Sequence, residues 1–86
     1  MPLRRAPRLA WQVIDGEAVV IDLVNGFSLG LNPTGSLVWD LLADHDEGAI
    51  AGEVARRFDV SPETASRDVH EFLAAMRERG LVTEAE

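Results

Sequence analysis

Very few residues in this sequence have the types and spacing that covalent chemistry requires. His45 and His70 are the two histidines able to exchange a proton near neutral pH, and the chain holds no cysteine to pair with either. The absence of cysteine also removes a disulfide framework and any thiolate metal site. Asp44, His45, Asp46 and Glu47 bring metal-ligating types together in one run. Adjacent residues in a loop point in diverging directions, so that run reads as a solvated link between helices. His70 falls on a polar helix flank, and the serines occupy cap, turn and surface positions without a histidine at catalytic spacing. Gly26, Gly30 and Gly35 are spread over a strand and a helix start, with no phosphate-binding spacing. No catalytic residue, metal ligand set or cofactor site emerges, and the expectation is a protein that is not an enzyme.

The composition points the same way. Eighty-six residues with 47% hydrophobic and 27% charged side chains make one globular domain with a thin core. The net charge of −7 is unevenly placed. Residues 1–11 carry Arg4, Arg5 and Arg8 and no acid, whereas residues 12–86 set five arginines against all fifteen acids, a net −10. A body this acidic repels a phosphate backbone, which argues against nucleic acid as the partner. The basic start has no apolar segment behind it, and no stretch approaches the roughly 18 apolar residues of a membrane span. All eight basic residues are arginine, a usage typical of GC-rich bacterial genomes. The expectation is a cytoplasmic bacterial protein.

The chain divides at Asn32. Before it, Leu9, Trp11 and Val13 alternate on one face of a strand, and Asp15-Gly16 signals a hairpin. Ala18 to Val24 forms a second strand, with Val19, Ile21 and Leu23 on one side and Val20 and Asp22 on the other. Asn25-Gly26 is the stronger turn signal, and Phe27, Leu29 and Leu31 then alternate with Ser28 and Gly30 in a third strand. After Asn32 the period becomes helical. Asn32 caps and Pro33 opens a helix to about Ala43, carrying Leu37, Val38, Leu41 and Leu42. A second helix, capped by Asp46, runs from Glu47 to Phe58 with Ile50, Val54 and Phe58 in register. Ser61-Pro62-Glu63 opens a third that ends near Arg79 at Gly80. Ala65, Val69, Phe72, Leu73 and Met76 fall within an arc of about 100° on that helix. One flank carries Thr64, Asp68, Ala75 and Arg79; the other carries Glu63, Ser66, His70 and Arg77.

Three landmarks in this order resemble a known family. They are Leu31-Asn32-Pro33-Thr34-Gly35 leading into Leu37, Val38 and Trp39, the helix Ile50 to Phe58, and Asp68-Val69-His70-Glu71-Phe72-Leu73 followed by Gly80-Leu81. The pattern is similar to the PqqD family, also described as RiPP recognition elements. Ala49 departs from it, standing where the family often has Thr or Ser. The resemblance implies an α+β, winged-helix-like fold: a three-stranded antiparallel sheet followed by three helices (βββααα). The basic start reads as a frayed, mobile arm over residues 1–8, and the resemblance implies a peptide-binding domain over 9–86. The implied task is to bind the leader segment of a ribosomally made precursor peptide by strand addition. The leader is then presented to a modifying enzyme, a radical SAM maturase or a leader peptidase.

Strand addition is physically apt here, because the third strand leads into a helix and leaves an edge of unpaired N–H and C=O groups. The residues expected to meet the peptide are Phe27, Ser28, Leu29, Gly30 and Leu31 on the strand. On the helix they are Asp68, Val69, Phe72, Ala75 and Met76, with the Asp68 flank facing the groove. Gly30 is expected to remove a side chain where a backbone approaches. Core packing is the competing reading for Val69 and Met76. Two other functions share the pattern: a winged helix-turn-helix that binds DNA, and a general interaction domain forming homodimers through edge strands or swapping. Against the first, Glu63, Asp68, Glu71 and Glu78 interrupt Arg67, Arg77 and Arg79, so the third helix lacks a positive stripe.

Overall fold

The computed structural model describes residues 3–84; Met1, Pro2, Ala85 and Glu86, the outer ends of the expected arm and domain, lie outside the described residues. The order of elements is β1 (Leu3–Arg5), β2 (Leu9–Ile14), β3 (Glu17–Asp22), β4 (Phe27–Gly30), α1 (Pro33–Leu41), α2 (Glu47–Phe58), α3 (Pro62–Glu78) and β5 (Val82–Glu84). Among the described residues the fold is α+β with three helices, as expected, but the strands number five in two antiparallel sheets, β2-β3-β4 and β1-β5. The simple βββααα order is therefore corrected at both ends. No helix among the described residues is long and apolar enough to cross a membrane.

The basic start is where the correction is largest. Leu3, Arg4 and Arg5 pair with Glu84, Thr83 and Val82, so the segment expected to be mobile is tied to the body. Arg5 reaches the C-terminal end of α1, donating to the Trp39 carbonyl at 3.0 and 2.8 Å and to the Asp40 carbonyl at 2.9 Å. Both carbonyls lie in the last turn of the helix, where a cation also meets the negative end of the helix dipole. The same guanidinium lies 4.4 Å from the centre of the Trp11 ring, which stands edge-on to Trp39 at 5.8 Å.

Arg8 makes the second anchor. Its Nε donates to Asp22 Oδ2 at 3.0 Å. Asp22 is 1% exposed and takes further bonds from the Val24 and Asn25 N–H groups and from Asn25 Nδ2. These donors hold its carboxyl down to about 2, the Asn25 N–H contributing most. They also settle the β3–β4 connection as a four-residue loop, Leu23 to Gly26, in which Gly26 alone has positive φ. The two-residue turn is instead at Asp15-Gly16, with φ of 51° and 79°, the signature of type I′. The relative strength of the two turn signals is thus reversed, because a buried carboxylate organises the second.

The helices follow their local signals closely. Asn32, Asp46 and Ser61 each accept a hydrogen bond from the N–H three residues on, and Pro33 and Pro62 open α1 and α3. Because Asp46 itself caps α2, Ala49 need only supply the N–H. Gly80 at φ 75° ends α3, where Leu81 N–H returns to the Met76 carbonyl at 2.9 Å. α1 stops at Leu41, two residues short of the expected end. Val20, Val38, Trp39, Ile50, Val54, Val69, Leu73 and Leu81 are nearly inaccessible and form one core between the sheet and the helices. Ser36 joins the layers: its Oγ accepts from Ala18 N–H at 2.7 Å and donates to the Leu31 carbonyl at 3.2 Å.

Two outcomes test these anchors. Arg5→Ala should cost about 1–3 kcal/mol in urea unfolding, the range for hydrogen bonds to a charged group with a cation–π contact added. Asp22→Ala should lower Tm at neutral pH. A free Asp titrates near ~3.9, so the depressed native carboxyl contributes its full stabilisation above pH ~4 to 5. That contribution fades as the pH falls toward about 2. Melts of wild type and Asp22→Ala should therefore converge on acidification, and a gap independent of pH would contradict the assignment.

Candidate functional site

Hydrogen-bond parity decides which groups the sheet leaves free. Leu31 N–H donates to the Ala18 carbonyl at 2.8 Å, and the register pairs Val20 with Leu29 and Asp22 with Phe27. Alternation along an antiparallel ladder then directs Leu29 and Phe27 toward β3, and Ser28 and Gly30 away from it. β4 is the last strand of its sheet. Ser28 and Gly30 therefore hold their N–H and C=O groups toward the open edge, where an extended peptide would find them.

Side chains alternate on the perpendicular axis. Phe27, Leu29 and Leu31 share the face of Asp22, Val20 and Ala18, which is the core face. Leu31 is buried at 5%, Leu29 is half-buried against the core, and Phe27 is 36% exposed. Gly30 lies opposite Val19 on the outer face, and a Cβ added there would meet nothing within 4 Å. Gly30 thus contributes its main chain to the edge, and the space over it lies on the face turned away from the core.

α3 divides its expected residues cleanly. Val69 and Met76 are 1% and 5% exposed and belong to the core, which leaves no surface there for a peptide. Asp68 and Ala75 are exposed and Phe72 is half-buried. A cleft of about 390 Å³ runs between α3 and the start of α1, lined by Asn32, Thr34, Gly35, Val38, Asp68, Glu71 and Phe72. The opposite flank faces α2: His70 Nδ1 stands 3.1 Å from Glu47 Oε2, beside a wider, shallow hollow with Ser66 and Arg67.

The cleft depends on a glycine that the site expectations passed over. A Cβ on Gly35 would sit 2.8 Å from Phe72 Cε1 and 3.1 Å from Asn32 Oδ1. Gly35 therefore lets the Phe72 ring pack on the first turn of α1, flooring the cleft with an aromatic face. Glycine at the third position of a helix costs helix propensity, and that mismatch was the signal available in the sequence. Glu71, Thr34 and Asn32 offered no such signal, because polar residues at a helix start or on a helix flank are common. Chemically the cleft is an apolar floor with two carboxylates, Asp68 and Glu71, on one wall. Arg67 Nε lies 3.8 Å from Asp68 Oδ1. No group of three metal-ligating side chains occurs among the described residues.

Comparison with known proteins bears on this geometry. Two solved structures superpose over nearly the whole chain. One is TbiB1 in complex with the TbiA(beta) leader peptide, 26% identical over 96% of this chain and 98% of its own, with a TM-score of 0.88. The other is lasso peptide synthetase B1 complexed with the leader peptide, 24% identical over 98% of this chain and 100% of its own, also at 0.88; it demonstrates the common fold. No curated protein matches significantly. The family model described as coenzyme PQQ synthesis protein D matches residues 17–82. From β3 through the three helices to β5, this chain belongs to the PqqD family.

Proposed function

We propose that this protein is a RiPP recognition element of the bacterial cytoplasm. It binds the leader segment of a ribosomally synthesised precursor peptide and presents it to the enzyme that modifies or cleaves that peptide. The observation that carries this reading is the open β4 edge beside an apolar-floored cleft, in a chain of the PqqD family. Its structural neighbour TbiB1, which holds a leader peptide, supports the same assignment.

In this reading the leader lies along β4 and pairs with the N–H and C=O groups of Ser28 and Gly30. Each such bond is worth about 0.5–1.5 kcal/mol net and is nearly blind to sequence. Discrimination therefore falls to side chains. An apolar leader residue packs on Phe72 and Gly35, with Leu29 and Phe27 on the strand side and Ala75 further along the same flank. Asp68 and Glu71 orient a donor or a basic residue next to it. One buried anchor of this kind is worth about 2–4 kcal/mol, whereas an exposed charge adds far less. The protein contributes binding and alignment, and the bond-making belongs to the partner enzyme. DNA binding is disfavoured by the acids of α3 and by the engagement of Arg67 with Asp68 and of Arg77 with Glu84.

Ser28→Pro tests the main-chain part. Proline is tolerated on an edge strand when its missing N–H faces outward, so the circular dichroism spectrum should be unchanged. Affinity for the cognate leader should fall at least tenfold, about 1.4 kcal/mol, and undiminished affinity would show that the leader does not pair with β4. Ala75→Arg and His70→Ala test the flank. Calorimetry should find leader binding weakened by Ala75→Arg and left intact by His70→Ala; the reverse would move the groove to the α2 side of α3.

A further inference from the structure

Leader binding accounts for one open edge of the sheet and leaves the other unexplained. β2 is the opposite terminal strand, and its six residues, Leu9 to Ile14, carry no charge and no proline. Natural edge strands are usually guarded by a lysine, a proline, a bulge or a covering segment. This one has none of the first three, and five of its six residues are exposed. Trp11, Val13 and Ile14 are 40%, 60% and 53% exposed, an unusual concentration on one short strand.

The type I′ turn at Asp15-Gly16 makes Ile14 and Glu17 a hydrogen-bonded pair. Parity then directs the main chain of Gln12 and Ala10 toward β3. Trp11 and Val13 present their N–H and C=O groups outward, while Leu9 N–H is taken by the Ala6 carbonyl at 3.2 Å. Arg8, just before the strand, is already engaged by Asp22 and the Gly80 carbonyl, so the remaining charge at the strand ends is Asp15. Parallel pairing of two such strands would set Asp15 beside Asp15. Antiparallel pairing puts the two carboxylates at opposite ends of the joint.

We propose that β2 pairs antiparallel with β2 of a second copy of this chain, about a two-fold axis at Gln12. In that register Trp11 stands opposite the partner's Val13 and Ala10 opposite the partner's Ile14, and Gln12 meets the partner's Gln12 amide to amide. Every direct pair within the strand from Ala10 to Ile14 is apolar or neutral, which is the self-complementarity that an isologous interface requires. The sheet becomes six-stranded, β4-β3-β2-β2-β3-β4, with both β4 edges at its outer ends, free for a ligand. Six residues per copy bury well under the roughly 1,200 Å² of a standard interface, so the dimer is weak and exchanges quickly. The charge of −7 on each copy opposes approach, and salt screens that repulsion without touching the neutral strand.

The test needs no leader peptide, so its result is independent of what β4 binds. Sedimentation equilibrium of the intact chain from about 10 μM to about 1 mM, at about 50 mM and about 500 mM NaCl, should show a monomer–dimer equilibrium strengthened by salt. Val13→Lys and Ala10→Lys place a charge on each face of the strand at exposed positions. Both should keep the wild-type circular dichroism spectrum and weaken dimerisation at least tenfold. In concentration-dependent amide spectra the largest shifts should fall on Trp11 and Val13. A wild type that stays monomeric throughout, a dimer that both lysine variants retain, or one that Ser28→Pro in β4 abolishes would each overturn the proposal.

Discussion

The buried carboxylate of Asp22 is the interaction on which the arrangement depends. It sits at the end of the central strand, 1% exposed, and meets every lone-pair demand from one short loop and one distant arginine. A buried charge left short of partners would be strongly destabilising, so the geometry around it has little freedom. The loop from Leu23 to Gly26 is shaped by it, and that loop sets the register in which β4 returns along β3. The ion pair with Arg8 draws the start of the chain onto the same end of the sheet. From there Arg5 reaches α1 and Leu3–Arg5 finds β5.

The register set at Asp22 has consequences at the other end of β4. It places Leu31 under the sheet and Ser36 beside Ala18, so α1 begins at a defined height. α1 in turn offers Gly35 to Phe72, and that contact determines how close α3 comes to the start of α1. The cleft between them is thus a by-product of packing that is otherwise complete: Val69, Leu73 and Met76 fill the core, and Phe72 is the one member of the apolar arc left partly in the open. A groove built this way is preformed, the condition under which a ligand's ordering cost is lowest.

Both faces and both edges of the small sheet carry distinct duties as a result. The core face packs on the helices, and the outer face carries half-buried Val19 and Ile21 beside Gly30 and Ser28. The edges differ in what lies beside them. Beyond β4 the chain runs through Leu31 to Asn32, which lines the α1–α3 cleft. β2 has only the strand itself, neutral and self-complementary, with an arginine at one end and an aspartate at the other.

By itself the sequence determined whatever is encoded within a few residues. The caps at Asn32, Asp46 and Ser61, the stop at Gly80 and the hairpin at Asp15-Gly16 rest on bonds between residues at most five apart, and the alternation of β4 is written in the order of its side chains. The order of the Asn32-Pro33 and Asp68-Phe72 landmarks was enough to bring the family into view. Only the tertiary structure could decide what lies between distant segments. Arg5 acts on Trp39 across 34 positions and Arg8 on Asp22 across 14, so a start that reads locally as a loose basic arm becomes a strand and two anchors. Helical projection grouped Val69, Phe72 and Met76 on one arc, because angle alone does not say where the neighbouring layer ends. The position of α1 against α3 made two of them core and left one at the cleft. Likewise the alternation in β4 assigned side chains to faces, but which main-chain groups stay unpaired follows from parity with β3, a property of the pair and not of either strand.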